Sequence, residues 1–177
     1  MNIYNDNVLN SVKLIENFDF FDSRGSFSKI YNKDLKQILN FEISEVFYSS
    51  NKKNVIRGIH YQTGKNQLAK LVKCIDGEIL DFFIDLREDS KTFGQYSSHI
   101  LSRESNKTVY IPKGHGHGFS VLSEQATILY IQDGDYNSSS EYGISPLSVD
   151  FDWNVNNPVI SEKDLKLPTY ENFIKKS

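Results

Sequence analysis

One cysteine, one tryptophan and four histidines stand among the 177 residues. A lone Cys74 excludes an intrachain disulfide and a cysteine-built zinc site, and its apolar surroundings predict a buried, inert thiol. Positive charge is not in excess. The 20 Lys and Arg face 23 Asp and Glu, a net charge of −3, so no broad basic field recommends a nucleic-acid partner. Long apolar runs are missing too. The most apolar stretch, 79–86, is broken by Asp81 and Asp85 and is far too short to span a bilayer. No cationic segment leads into an apolar one at the N-terminus, so a signal peptide is not expected and a soluble cytoplasmic protein is. Repeats, linkers and low-complexity tracts are also lacking, and the length suits one domain over residues 1–177.

What is abundant is aromatic: ten Tyr and twelve Phe. With few Pro and Gly, that composition favours strands joined by turns. Residues 33–41 predict an early helix with Leu35, Ile38 and Leu39 on one face. Beyond residue 44, strands are expected over 68–75, 78–86, 97–101, 108–111, 118–122 and 127–132, each bounded by Gly, Pro, Ser, Asn or Asp. Asp76-Gly77 reads as a tight hairpin between the first two, Asp22 to Gly25 as an earlier turn, and 161–177 as a short helix packed on the barrel. Strand following strand without helical interruption predicts an all-β sandwich or jelly roll rather than βαβ units.

Strand alternation makes several polar residues conspicuous. Lys70 shares a face with Leu68, Val72 and Cys74. Asp81 and Asp85 share one with Ile79 and Phe83, His117 with Phe119 and Val121, and Tyr130 with Ile128 and Gln132. Each has an ordinary explanation: a lysine reaching out at a barrel rim, an aspartate paired with it, a tyrosine in packing. His115 and His117 could be a metal pair or turn residues beside a Gly-rich bend. Together they describe a polar pocket at the mouth of a barrel. Such a set suits proton transfer beside a carbonyl. His60 could act as base, oriented by Asp164 or Asp81. Lys70 and Arg57 could stabilise an enolate oxygen, and Tyr130 could return a proton from the opposite face; no cofactor is required. Metal-binding barrels of this kind present His-x-His, then a Glu a few residues later, with a further His on a distant strand. Here Glu124 follows only after six residues in a turn-like Ser-Glu-Gln, so no metal is expected.

Arg24-Gly25, Arg57-Gly-Ile-His-Tyr-Gln62, Lys70-Leu-Val, Gly77-Glu78, Asp81, Asp85-Leu-Arg87, Ser90 to Gly94, Ile111-Pro112, His117-Gly-Phe119, Tyr130, Tyr136 and Ser161-Glu-Lys-Asp164 follow one another in order. In these landmarks the chain resembles the dTDP-4-dehydrorhamnose 3,5-epimerase family, non-metal cupins of deoxysugar biosynthesis. The resemblance implies a double-stranded β-helix (cupin jelly roll) with short peripheral helices, and epimerisation at C3, C5 or both of a nucleotide-linked 4-keto-6-deoxy sugar. It implies His60 as base paired with Asp164, Tyr130 as acid, and Lys70 at the enolate. Asp81 and His117 would support the pocket, and Arg57 would hold diphosphate or sugar oxygens. Tyr136 and Phe27 would line the nucleotide site, with Arg24, Lys29 and Gln62 completing the substrate-binding set. It also implies a homodimer in which the N-terminal portion of one subunit completes its partner's site.

Several positions depart from the family pattern. Lys29 stands where a Glu is usual, Glu45-Val-Phe47 replaces Gln-x-Asn, Leu68 replaces a Gln, and Gly114-His-Gly-His117 replaces Gly-Phe-Ala-His. A lysine only donates, which suits ring acceptors of cytosine or guanine better than the thymine imide. The expected substrate is therefore a dTDP-, CDP- or GDP-linked keto sugar, with the chemistry kept and recognition altered. A related nucleotide-sugar keto-isomerase would have a second histidine soon after the first, where Tyr61-Gln62 stands. A non-catalytic sugar-binding cupin would lack the base or the acid.

Overall fold

A computed structural model describes residues 1–175. Its strands are β1 (Asn2–Asn5), β2 (Lys13–Glu16), β3 (Phe18–Asp22), β4 (Gly25–Lys29), β5 (Glu45–Lys52), β6 (Ile56–Gln62), β7 (Lys70–Asp76), β8 (Glu78–Asp85), β9 (Tyr96–Ser102), β10 (Lys107–Ile111), β11 (His115–Val121), β12 (Gln125–Gln132) and β13 (Glu141–Gly143). Helices are short: α1 (Lys33–Leu39), α2 (Glu162–Leu165) and α3 (Tyr170–Ile174). Two antiparallel sheets, ordered β1-β2-β10-β7-β12-β5 and β13-β6-β11-β8-β9, face each other as a jelly roll. This is the expected all-β double-sheet fold.

Alternation along each strand sorts the core into layers. Between the sheets lie Val72, Cys74, Ile79, Phe83, Val109, Phe119, Val121 and Ile128. The outer face of the six-stranded sheet packs Leu71 and Ile131 with Leu35 of α1 and Phe41. The outer face of the other sheet packs Phe82 and Ile84 under Val149 and Trp153, with Tyr170 and Phe173 alongside. Cys74 is buried, and burial pushes its thiol up to about 12, leaving it un-ionised and unreactive.

Four expectations are corrected. Asp76-Gly77 does not close a hairpin within a sheet. It turns the corner between them, since β7 pairs with β10 and β12 whereas β8 pairs with β9 and β11. The corner is tight: Gly77 has φ +74°, and a Cβ there would sit 2.0 Å from the Gln125 carbonyl oxygen, so glycine is required. In α1, Leu35 is buried and Leu39 half-buried, but Ile38 is 65% exposed. Leu35 and Leu39, four apart, stack on the sheet, and Ile38 falls to the side of that line. The expected C-terminal helix is two helices, because Pro168 cannot continue the hydrogen-bond ladder of α2. The last two residues of that expected helix, 176 and 177, lie outside the described residues. Strand β11 also begins earlier than expected, so His115 is a strand residue rather than a turn residue.

Candidate active site

Between the sheets, at one end of the barrel, opens a cavity of about 520 Å³, within the range of small-molecule sites. Its walls come from both sheets, and register decides which side chains meet. In the five-stranded sheet, β6 and β11 pair His60 opposite His117, then slip at Gly118 so that Phe119 faces Arg57. That close pairing depends on Gly58, whose Cβ would lie 2.6 Å from the Gly118 Cα. In the six-stranded sheet, β12 sets Gln132 opposite Lys70 on one side and Tyr130 opposite Phe47 on the other. His60 and Tyr130 thus stand on different sheets, both lining the one cavity.

His60 gets its partner from the far end of the chain. Val159 bridges to Val55 beside the start of β6, with Ile56 N–H donating to the Val159 carbonyl at 3.0 Å. This lays the next turn under His60. Ser161 caps α2 by accepting from the Asp164 N–H at 3.1 Å, and the Asp164 carboxylate lies 2.7 Å from His60 Nε2. Burial opposes the charge on Asp164. The hydrogen bonds from His60, the Gly58 N–H and Ser161 outweigh that and hold the carboxyl below the ordinary carboxylate range. An ionised Asp164 only accepts, so Nε2 carries the proton and Nδ1 is left as the basic nitrogen. The alternative orienting residue, Asp81, is engaged elsewhere: His117 Nε2 meets it at 2.7 Å.

Burial pulls the Lys70 ammonium down to about 8, against the attraction of Asp81 and Glu141. Asp81 is fully buried, and its second oxygen, Oδ2, has no hydrogen-bond partner among the described residues. Burial pushes the Tyr130 phenol upward, reinforced by Asp81 and only partly offset by the Ser49 hydroxyl, so Tyr130 stays protonated. Burial likewise pushes His117 down, which keeps it neutral beside Asp81.

Arg57 reaches the cavity with its Nε bound to Asn51 Oδ1 at 2.6 Å. Gln62 lines the wall and accepts from the Asn137 N–H at 3.1 Å. Tyr136 stands half-exposed at the mouth, its hydroxyl donating to Glu141 at 2.7 Å. Lys163, the residue before Asp164, holds the same Glu141 oxygen at 2.5 Å. Sequence reasoning missed Glu141, Lys163, Ser49 and Asn51. The three-residue β13 shows no periodicity to reveal Glu141, while Lys163 was visible only as the neighbour of Asp164.

Three expected site residues are not brought to this cavity within one chain. Arg24, Phe27 and Lys29 sit on the exposed β3–β4 hairpin, where Arg24 is tied to Asp22 at 2.5 Å. The other candidate pair divides. His117 serves Asp81, whereas His115 donates from Nδ1 to the Lys113 carbonyl at 3.2 Å and accepts from Ser11 at 3.0 Å. Glu124 is exposed and paired with Lys53. No group of three His, Cys, Asp or Glu among the described residues could hold a metal ion, and no helix among them is long and apolar enough to cross a membrane.

An imidazole–carboxylate pair on one wall, with a neutral phenol and an ammonium on the other, is a set for moving a proton across a flat, enolate-like intermediate. Comparison with known proteins agrees with that chemistry. A family model described as dTDP-4-dehydrorhamnose 3,5-epimerase matches residues 6–172. The dTDP-4-dehydrorhamnose 3,5-epimerase of Salmonella typhimurium is 37% identical over 163 residues, 89% of each chain. The crystal structure of the Legionella pneumophila 3,5-epimerase in complex with dTDP-4-keto-L-rhamnose superposes with a TM-score of 0.90 at 34% identity, covering 95% of this chain and 92% of that one. A 4-keto-6-deoxy sugar epimerase from the novobiocin gene cluster of Streptomyces spheroides gives 0.94 at 28% identity, covering 99% and 90%. The barrel, its cavity and these likenesses together place the chain in the dTDP-4-dehydrorhamnose 3,5-epimerase family.

Proposed function

We propose that residues 1–177 form one catalytic domain that inverts C3, C5 or both of a nucleotide-linked 4-keto-6-deoxy sugar without a cofactor. The observation that carries this is His60 on the five-stranded sheet, 2.7 Å from the Asp164 carboxylate of α2, sharing the cavity with Tyr130 from the six-stranded sheet. His60 Nδ1 takes the proton from the carbon beside the ketone, and Asp164 stabilises the imidazolium that forms. The electron pair moves into the ring, placing negative charge on the ketone oxygen, where the Lys70 ammonium receives it. Tyr130 then donates its phenolic proton to the opposite face. Solvent restores the proton to Tyr130 and removes it from His60, so atoms and charges balance over the cycle.

Arg57, with Gln62, His117 and Tyr136, holds the sugar and its diphosphate, and Asp81 fixes His117. Arg24, Phe27 and Lys29 serve from the hairpin of a second subunit in a homodimer. The exposed Phe18, Phe20, Phe21 and Phe27 of β3–β4 support this, since a hairpin so apolar gains by being covered. The nucleotide is dTDP, CDP or GDP, and such substrates place the reaction in the cytoplasm. The relatives' names support dTDP; Lys29 supports an altered base or sugar. Incubation with dTDP-, CDP- and GDP-linked 4-keto-6-deoxyglucose, read by NMR, should give a new stereoisomer from at least one. None from any would overturn the proposal, and a clear preference for dTDP would overturn the altered base.

The lysine adds a pH dependence. Its charge is present below about 8 and lost above, so kcat/KM should fall on an alkaline limb near pH 8. Lys70→Arg keeps its charge at higher pH and should move that limb upward, at lower absolute rate. An unmoved limb would assign it to another group.

A further inference from the structure

Phe47 lies on β5, the edge strand of the six-stranded sheet, directly opposite Tyr130 in register. The two rings stack almost parallel, with centroids 4.9 Å apart and planes 17° from each other. From another side His117 meets the Tyr130 ring edge-on at 6.1 Å. The tyrosine is buried, whereas Phe47 is 42% exposed and lines the cavity. Its hydrocarbon ring offers a substrate no hydrogen bond, and its flat face is given to the phenol.

We propose that Phe47 is a positioning residue that fixes the direction from which Tyr130 delivers its proton. The inference rests on the reading of Tyr130 as the acid. A tyrosine ring turns about two torsions. Stacked against Phe47 and held edge-on by His117, it cannot swing toward the mouth, so the hydroxyl stays over one face of the enolate. Without the stack, space opens on the solvent side and the phenol takes more than one orientation. Proton removal by His60 is then unaffected, since His60 stands on the other sheet. What changes is the fate of the enolate: Tyr130 reaches it less often, and the protonated His60, exchanged with solvent, returns a proton to the face it came from.

The test is a partition experiment in D₂O on wild type, Phe47→Ala, Phe47→Leu and Phe47→Tyr, using the 4-keto substrate that the wild type accepts. NMR gives the ratio of deuterated substrate of unchanged configuration to deuterated epimer. The ratio is expected to rise about tenfold in Phe47→Ala, a modest share of what misplacing a reacting group by an ångström costs. KM should hold while kcat falls, and Phe47→Tyr, which keeps a flat ring, should return the ratio to the wild-type value. Phe47→Leu keeps bulk without the stack and should behave like alanine, and it serves if the alanine variant gives too little folded protein. An unchanged ratio in both truncated variants would overturn the role of Phe47 and leave the proposed reaction standing. No exchange by the wild type on any 4-keto substrate would overturn both.

Discussion

His60→Ala is expected to reduce deuterium exchange beside the ketone by about 10⁴-fold, the upper end of what a positioned base supplies. The reason is geometric. His60 is the one imidazole lining the cavity that is both partly open to it and backed by a carboxylate; its side chain is 31% exposed, against 6% for His117 and 0% for His115. Neither of the others can take over, because His117 is spent on Asp81 and His115 on Ser11 and Lys113. Asp164→Asn is the finer form of this test. An amide can donate to Nε2 where the carboxylate accepts, which moves the ring proton to Nδ1 and removes the lone pair that should face the substrate. A loss of about 10²-fold or more is expected, close to that of a missing preorganised electrostatic partner. Exchange rates near wild type in His60→Ala would mean that another group is the base.

Tyr130→Phe is expected to separate two events that the wild type couples. Epimerisation should fall by about 10²-fold or more, while exchange on the His60 face persists at a much larger fraction of the wild-type rate. The phenol is suited to donation because burial and Asp81 disfavour its anion. Once an enolate exists, that same disfavoured anion is the cost of delivery, which the Arg57 cation partly offsets. Equal loss of exchange and epimerisation would show that Tyr130 shapes the cavity rather than donates. Untouched turnover would hand the role to Tyr136 or to water.

Much of this arrangement could be read from strand parity. Lys70, Asp81, His117 and Tyr130 each share a strand face with residues of the inner core, and a residue two positions from a buried one points the same way. Parity fails where the chain leaves a ladder. Asp164 is 104 residues from His60, and only the return of residues 158–164 along the start of β6 joins them; nothing in local pattern foretells that, although the family resemblance does. Gly77 illustrates the converse limit. Asp-Gly is as good a signal for a sheet-to-sheet corner as for a hairpin, and only the pairing of β7 and β8 with different neighbours decides it. The hairpin residues Arg24, Phe27 and Lys29 are legible as a motif, but no single chain places them at its own cavity. The split of the last helix was legible in Pro168; the side on which Ile38 falls was not, since it depends on how α1 rolls against the sheet.

The central claim is that His60 and Tyr130 address opposite faces of one enolate. It is tested most directly by incubating the wild type with a nucleotide-linked 4-keto-6-deoxy sugar in D₂O and following C3 and C5 by NMR. Deuterium is expected at one or both carbons together with inverted configuration, and neither is expected in His60→Ala. Deuterium at neither carbon, for dTDP-, CDP- and GDP-linked substrates alike, would contradict it.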